Sequence, residues 1–303
     1  MHEHKKKCRG TAAFLFIYAT RYNGKVDTIF IYLAAVAFFV FGTIIGSFLN
    51  VVIARYQTGL GLGGRSQCFS CGNILAWYEL FPIISFLFQK GRCKTCKSAI
   101  SWQYPIIELL TGVIFLALFF KFFIVGQAFM GAAYTDIALF FSVLFIACLF
   151  IIISVYDFKH AIIPNNFIYA VDAVAFAGLF VGARMNTAAF ITGVAFFLFF
   201  ALLWLLSGGR AMGFGDAKFA LGIGWLLGPA QGISALLVAF WSGAVIGVLL
   251  VGASHIHTLF LARKSFTLKS EIPFGPFLAF GACVSFLFNL DVGVFISLLS
   301  FHV

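Results

Sequence analysis

Charged side chains are scarce in this sequence: Asp, Glu, Lys and Arg together make up 10% of its 303 residues. Soluble globular domains carry roughly 25% of such residues, so this scarcity excludes a chain that folds in water. Hydrophobic residues make up 62% and Phe alone accounts for 42 positions. Apolar runs longer than the roughly 18 residues of a spanning helix recur along the chain. The composition therefore predicts an all-α polytopic membrane protein.

Acidic residues are the scarcer of the charged types, with 10 acids against 20 basic residues. A basic excess can indicate nucleic-acid binding, but no basic helix here is interleaved with aromatic residues that would stack on bases. The basic residues instead crowd into a few connecting segments, as is typical of loops facing anionic lipid headgroups in the cytoplasm. We therefore expect membrane lipid as a partner and no nucleic acid; the sequence leaves the oligomeric state open.

Apolar runs bounded by charges, Gly and Pro predict about eight transmembrane helices. They lie near 28–50, 104–125, 136–156, 167–183, 188–206, 214–229, 233–254 and 276–298. The large polar interruption at 51–103 is the one expected soluble subdomain. The glycine-rich run at 214–229 could be re-entrant, but that path would place the basic residues after 254 outside, so we interpret it as crossing.

The distribution of Lys and Arg predicts which side each loop occupies. If the loop at 51–103 is cytoplasmic, the inner segments hold twelve positive charges: Arg55, Arg65, Lys90, Arg92, Lys94, Lys97, Lys159, Arg210, Lys218, Arg263, Lys264 and Lys269. The outer connections after the first span hold only Lys121 and Arg184. The bias favours an inner-membrane protein with this loop inside. The basic tail at 1–27 conflicts with that orientation; we interpret it as retained, because no small-x-small cleavage site follows its apolar stretch.

Two of the few acids fall at the edges of predicted spans. Asp157 ends the third span and Asp216 opens the sixth. Two crossings separate them, and an even number of crossings returns the chain to the same side of the membrane. Both carboxylates are therefore predicted at the cytoplasmic boundary, where they can meet across the bundle.

A pair of adjacent carboxylates can hydrolyse a peptide bond without a metal. Two such groups do not both ionise easily and hold one proton between them. The ionised partner takes a proton from water, and the protonated partner hydrogen-bonds the substrate carbonyl. Gly213 and Gly215 have no Cβ and would let an extended substrate approach Asp216, and Lys218 would lie near the headgroups. A single Asp at a span edge is more often only a solvated boundary residue, and Asp136, Asp172 and Asp291 are weaker candidates.

Four cysteines in the polar loop have the spacing of a metal site. Cys68 and Cys71 form one C-x2-C pair, Cys93 and Cys96 form another, and 21 residues separate the pairs. This spacing is typical of tetrahedral structural zinc, which a reducing cytoplasm favours over disulfides. If the loop were outside, disulfides would be favoured instead. Four thiolates leave no open position for water, so the zinc would be structural.

Several motifs resemble those of the bacterial prepilin peptidases, a family of G-x-G-D intramembrane aspartyl proteases. They are Gly46-Ser47-Phe48-Leu49-Asn50, Trp77-Tyr78-Glu79, Gly91-Arg92-Cys93, Tyr104-Pro105-Ile106-Ile107-Glu108, Ile163-Pro164, the G-x-G-D-x-K run from Gly213 to Lys218, and Pro273-Phe274-Gly275-Pro276. They cover most of the chain, and their combination is very specific to this family. Leu80 and Phe81 depart from the more polar turn that the family has at those positions.

The resemblance implies cleavage of type IV prepilins or pseudopilins after a short basic leader ending in Gly, at the cytoplasmic face. Asp157 and Asp216 match the family's catalytic pair. It also implies that S-adenosylmethionine methylates the new amino terminus, in association with the cysteine loop. The residues that bind the methyl donor stay unassigned, with Glu79 and Glu108 as candidates.

These inferences predict three regions: a tail at 1–27, a methylation-associated part at 28–125 and a six-span peptidase core at 126–303. The main rival function is a proton- or cation-coupled transporter, since carboxylates within membranes often carry ions. A transporter predicts internal repeats and acids near the middle of spans. The two halves show no convincing repeat, and Asp157 and Asp216 lie at one boundary.

Overall fold

A computed structural model describes residues 28–59, 61, 63–125, 134–181, 185–210, 212–260 and 273–293. Across these residues the fold is helical and contains no β-strand, apart from two isolated bridges in the cysteine loop, Gln67 with Ile74 and Arg92 with Ala99. The prediction of an all-α fold is thereby confirmed. The predicted tail at 1–27 lies outside the described residues.

Eight α-helices follow one another in the described part of the chain. They are α1 (Thr28–Arg55), α2 (Ile84–Phe88), α3 (Gln103–Phe119), α4 (Tyr134–His160), α5 (Asn165–Gly178), α6 (Thr187–Ser207), α7 (Phe214–Phe260) and α8 (Gly275–Phe288). A 3-10 helix at Trp77–Leu80 precedes α2, and a π-helix at Phe120–Val125 extends α3. The polar loop predicted between the first two spans thus runs from the end of α1 to the start of α3.

Five of these helices, α1, α3, α4, α6 and α7, are long and apolar enough to cross a membrane. The long α7 contains a break at Gly228, whose φ of 67° and ψ of −170° are not helical. Glycine tolerates this conformation, and the following Pro229 has no N–H to continue the helical hydrogen bonds. The break falls at the end of the predicted span at 214–229, shortly before the predicted span at 233–254. The total of about eight crossings stays a prediction.

The helix α4 joins two groups of helices. On one side it packs against α1 and α3, and the ring of Phe38 from α1 lies 5.0 Å from that of Phe119 and 5.6 Å from that of Phe140 in α4. On the other side it packs against α5 and α8, and α7 contacts α5, α6 and α8. The main buried cluster, which includes Ile153, Phe200 and Phe219, lies within this second group. It holds the ends of α4, α7 and α8 together.

Candidate active site and cysteine cluster

Asp157 lies in the last turn of α4 and is buried, with 4% of its surface exposed. Its Oδ2 accepts a 3.0 Å hydrogen bond from the backbone N–H of Gly275, the first residue of α8. The first N–H groups of a helix have no partner within the helix and favour a negative charge nearby. The start of α8 therefore supplies a donor directly to this carboxylate.

Asp216 lies in the first turn of α7 and is also buried, with 6% of its surface exposed. Its backbone N–H donates a 3.1 Å hydrogen bond to the carbonyl of Gly213, which closes the turn that begins the helix. Within the described residues, Oδ1 of Asp216 is buried and has no hydrogen-bond partner. A buried carboxylate oxygen left without a partner is costly, and such groups in membrane proteins are concentrated at functional sites.

The side chain of Ile163 links the surroundings of the two acids. A Cβ placed on Gly215, beside Asp216, would lie 3.0 Å from Cβ of Ile163, and one placed on Gly275 would lie 3.3 Å from its Cδ1. The same Cβ on Gly275 would lie 2.7 Å from Oδ2 of Asp157. The two carboxylates are close enough to interact electrostatically. The structure therefore brings Asp157 and Asp216 together, although 59 positions separate them in sequence.

The acid pair and the beginning of the cysteine loop lie at the same end of the bundle. The hydroxyl of Tyr156, next to Asp157, donates a 2.9 Å hydrogen bond to Oε1 of Gln57, just after the end of α1. The ring of Tyr56 lies 5.2 Å from that of Tyr156 and 4.9 Å from that of Phe167 in α5. These contacts place the exit of α1 beside the turn between α4 and α5.

The three residues expected near an approaching substrate occupy different surroundings. Gly213 is exposed, and a Cβ there would lie 3.6 Å from Oδ2 of Asp216 and 3.9 Å from the backbone nitrogen of Gly215. The space beside Gly215 is filled by Ile163. Lys218 donates hydrogen bonds from Nζ to Oδ1 of Asn165 at 3.0 Å and to the hydroxyl of Tyr169 at 3.2 Å. Lys218 thus connects the start of α7 to α5.

Asp172 is a third acid, one of the weaker candidates in the sequence. Its Oδ1 is buried without a hydrogen-bond partner among the described residues, and a Cβ on Gly222 would collide with that oxygen. Lys218 lies close enough to interact with it electrostatically. The carboxylate therefore packs directly on α7, about two turns beyond Asp216, and is separate from the pair.

Sequence reasoning did not assign Gly275 or Ile163 to the site. Gly275 had been noticed only as part of a motif before the last span. The hydrogen bond to Asp157 joins residues 118 positions apart, and no local pattern predicts such a pairing. The sequence signal for this contact was the glycine at position 275, since a side chain there would collide with the carboxylate of Asp157.

The four predicted metal ligands converge in the structure. The sulfur atoms of Cys68, Cys71, Cys93 and Cys96 all lie within 4.8 Å of one another, and those of Cys68 and Cys96 are 3.8 Å apart. Tetrahedral zinc with Zn–S bonds of about 2.3 Å separates its sulfurs by about 3.8 Å. The cluster has the donor atoms and the spacing of a structural zinc site.

The two cysteine pairs have the same backbone geometry. In each, the N–H of the first cysteine donates to the carbonyl five residues later, from Cys68 to Asn73 and from Cys93 to Ser98. In each, the N–H of the residue four positions on, Gly72 or Lys97, donates back to that cysteine, and this residue has a positive φ. Two equivalent tight turns therefore present the four sulfurs to one point.

Hydrogen bonds change the acidity of these thiols. The backbone N–H groups of Cys71 and Ser70, with the Ser98 hydroxyl, lower the pKa of Cys68 to about 6. The Ser98 hydroxyl and N–H also lower the pKa of Cys96. A bond from the Asn73 backbone acts to lower the pKa of Cys71, but desolvation and the neighbouring thiols raise it to about 11. Zinc binds thiolates, so a cluster that already favours ionised Cys68 suits the metal.

We expect the purified protein to carry about one zinc ion per chain, as four thiolates form one closed tetrahedral site. Cys96→Ser should lower the zinc content to well below half, measured by inductively coupled plasma mass spectrometry. Cys148→Ser, which changes a thiol in the helix bundle, should leave it unchanged. A folded, active preparation without metal would contradict the assignment.

The two acids considered for the methyl donor make backbone contacts. Oε2 of Glu79 accepts a 2.8 Å hydrogen bond from the N–H of Ala76, and Oε2 of Glu108 accepts one of 2.7 Å from the N–H of Ile83. Glu108 is buried in α3, whereas Glu79 is half-buried and lines a cavity of about 660 Å³ in the cysteine loop. Glu108 thus fixes the loop to α3.

Two family profiles match the chain. The profile described as the bacterial peptidase A24 N-terminal domain matches residues 40–122, which include the cysteine loop. The profile described as the type IV leader peptidase family matches residues 144–248, which include both Asp157 and Asp216. No solved structure matches the chain significantly.

Curated relatives carry a consistent name. A prepilin leader peptidase/N-methyltransferase of Bacillus subtilis is 35% identical over 253 residues, covering 83% of this chain and 93% of the relative. One of Myxococcus xanthus is 33% identical over 231 residues, covering 73% of this chain and 64% of the relative. A type 4 prepilin-like proteins leader peptide-processing enzyme of Escherichia coli is 28% identical, covering 79% and 88%.

Proposed function

Because the chain belongs to the type IV leader peptidase family, we propose that it cleaves type IV prepilins or pseudopilins after the leader glycine. Asp157 and Asp216 are the proposed catalytic pair. The observation that carries this proposal is the meeting of two buried carboxylates from separate helices, one of which has an oxygen without a partner. Buried ionisable groups inside membrane proteins mark functional sites, and the match to the type IV leader peptidase family favours a peptidase site over an ion pathway.

The contacts of the two acids suggest separate roles in hydrolysis. A donor such as the Gly275 N–H suits an ionised carboxylate, so Asp157 is the proposed acceptor of the proton from water. Asp216 would carry the shared proton and hydrogen-bond the substrate carbonyl. The water oxygen bonds to the carbonyl carbon; the C–N bond then breaks as the leaving amine takes up a proton. The fixed donor at Asp157 keeps its carboxylate oriented through both steps.

The proposed face for this reaction is the cytoplasmic one. The acid pair shares its end of the bundle with the exit of α1, where the cysteine loop begins. That loop contains Arg65, Lys90, Arg92, Lys94 and Lys97, and Lys159 lies two residues after Asp157. Basic loops are retained in the cytoplasm, so the pair belongs on that side.

We further propose that the part at 28–125 methylates the amino terminus released by cleavage and that 126–303 forms the peptidase core. S-adenosylmethionine would supply the methyl group. Zinc at the four cysteines would hold the loop in shape. The hydrogen bond from Tyr156 to Gln57 supports this division of labour, since a new amino terminus at the acid pair would be released close to the loop.

The test uses the purified full-length chain in detergent with a peptide that contains a basic leader, a terminal leader glycine and an apolar segment. Mass spectrometry should detect cleavage directly after the glycine and, when S-adenosylmethionine is added, one methyl group on the new amino terminus. A folded, zinc-loaded protein that leaves the peptide intact would contradict the proposal. Proton uptake by reconstituted vesicles without cleavage would instead favour the transporter.

A further inference from the structure

A segment of the cysteine loop exposes large apolar side chains. In the stretch at 77–88, which contains the 3-10 helix and α2, the exposed fractions are 73% for Trp77, 55% for Ile84, 64% for Leu87 and 85% for Phe88. This stretch lies between two spans, in the part of the chain that sequence analysis treats as soluble. Apolar surface of this kind on consecutive turns indicates a contact outside the chain.

The depth of this segment is fixed by α3. The N–H of Ile83, directly before α2, donates to Oε2 of Glu108, five residues after the start of α3. At about 1.5 Å of rise per residue, that acceptor lies about 8 Å along the spanning helix. The ring of Phe86 also lies 4.9 Å from that of Trp102 at the start of α3. The α2 helix therefore lies alongside the first turns of a span, at the level where the span enters the membrane.

A basic cavity adjoins the apolar segment. Its volume is about 660 Å³, and four cations and one acid line it together with aromatic side chains: Lys90, Arg92, Lys94, Lys97, Glu79, Tyr78, Phe81 and Phe88. Nζ of Lys94 lies 3.3 Å from the hydroxyl of Tyr78 and 5.0 Å from the centre of its ring. The Glu79 carboxylate is bonded to the Ala76 N–H. Cys93, one of the four proposed zinc ligands, also lines the cavity, and the four cations still outnumber this thiolate and Glu79. The cavity therefore suits an anion.

We propose that residues 77–88 lie in the headgroup region of the cytoplasmic leaflet and that the adjoining cavity binds the phosphate of an anionic phospholipid. The cations would contact the headgroup, while Leu87 and Phe88 reach the acyl chains, the division typical of interfacial helices. The basic leader of a prepilin fits less well, because four cations would repel it. A soluble anion would leave the apolar side chains uncovered.

Lipid binding is measured independently of catalysis. A chain that fails to bind lipid can still cleave the peptide, so the lipid proposal and the proposed peptidase activity can be contradicted separately. Native mass spectrometry of the detergent-purified full chain should detect tighter binding of phosphatidylglycerol than of phosphatidylcholine. Each cation near an anionic headgroup contributes about a fivefold gain in affinity. The triple variant Lys90→Gln, Lys94→Gln, Lys97→Gln should therefore bind phosphatidylglycerol roughly 100-fold more weakly.

The matched control removes cations from outside the cavity. The Lys159→Gln, Arg210→Gln variant changes two exposed residues and should retain the preference for phosphatidylglycerol. Zinc content serves as the check that the triple variant still folds its loop. In nanodiscs, photoreactive benzoylphenylalanine in place of Phe88 should cross-link to lipid acyl chains. Equal affinity of the two lipids, full binding by the triple variant, or displacement of the lipid by inorganic phosphate or S-adenosylmethionine would overturn the proposal.

Discussion

Replacing Asp157 or Asp216 with Asn is expected to lower kcat for cleavage of a prepilin peptide by about 10³-fold or more. General acid–base groups typically contribute about 10²- to 10⁴-fold, and here each acid depends on the other, because one proton is shared between them. Asn keeps the size of the side chain but cannot accept the proton from water. The initial rate of product formation, followed by mass spectrometry, measures the effect.

The double variant Asp157→Asn, Asp216→Asn tests whether the two acids act as one catalytic unit or contribute independently to the rate. Residues that act as a unit give non-additive losses of rate. The kcat of the double variant should therefore be at most about tenfold lower than the kcat of the slower single variant. Asp291→Asn, which changes an exposed acid after the end of α8, should cleave at the wild-type rate. Undiminished cleavage by either single Asn variant would end the assignment of this pair.

Replacing Gly275 with Ala is expected to reduce kcat by about 100-fold. The added Cβ would lie 2.7 Å from Oδ2 of Asp157 and 3.3 Å from Cδ1 of Ile163. The carboxylate must then move, and its hydrogen bond with the Gly275 N–H is lengthened or lost. A displacement of about 1 Å at a reacting group can cost about 10²-fold in rate. Because the change touches an acid and not a substrate contact, KM should change much less than kcat.

A second glycine provides the control for this substitution. Gly178 ends α5, and a Cβ placed there meets no atom within 4 Å. Gly178→Ala should therefore leave both kinetic constants unchanged, and both variants should elute as the same folded species from size-exclusion chromatography. Wild-type turnover by a folded Gly275→Ala variant would show that the contact between α8 and Asp157 is not needed for the reaction.

The cysteine cluster was the part of the molecule that the sequence predicted most fully. Each C-x2-C pair closes on itself through hydrogen bonds between residues four or five positions apart. The spacing therefore determines the turn, and two such turns in one short loop need little further information to converge. The sequence also predicted the all-α class, because apolar runs long enough to cross a membrane satisfy their backbone hydrogen bonds in lipid by forming helices.

The sequence predicted the positions of the acids only in part. Counting crossings predicted that Asp157 and Asp216 share one side of the membrane, but not which groups surround them. The position of Asp172 beside Lys218 and Gly222 was not predicted, because an isolated acid within a span has no local pattern. The approach of a substrate at Gly213 and Gly215 stays a prediction; the sequence did not show that Ile163 occupies the space beside Gly215.

The sequence by itself determined that this chain is a helical membrane protein with a four-cysteine loop and two acids at span edges. These features follow from composition and from spacings within one turn or one span. Only the tertiary structure decided that the start of α8 donates to Asp157, that Ile163 packs beside both Gly215 and Gly275, and that Glu108 holds the loop against α3. Those contacts join helices distant in sequence, and their geometry depends on how the helices pack, which local periodicity does not record.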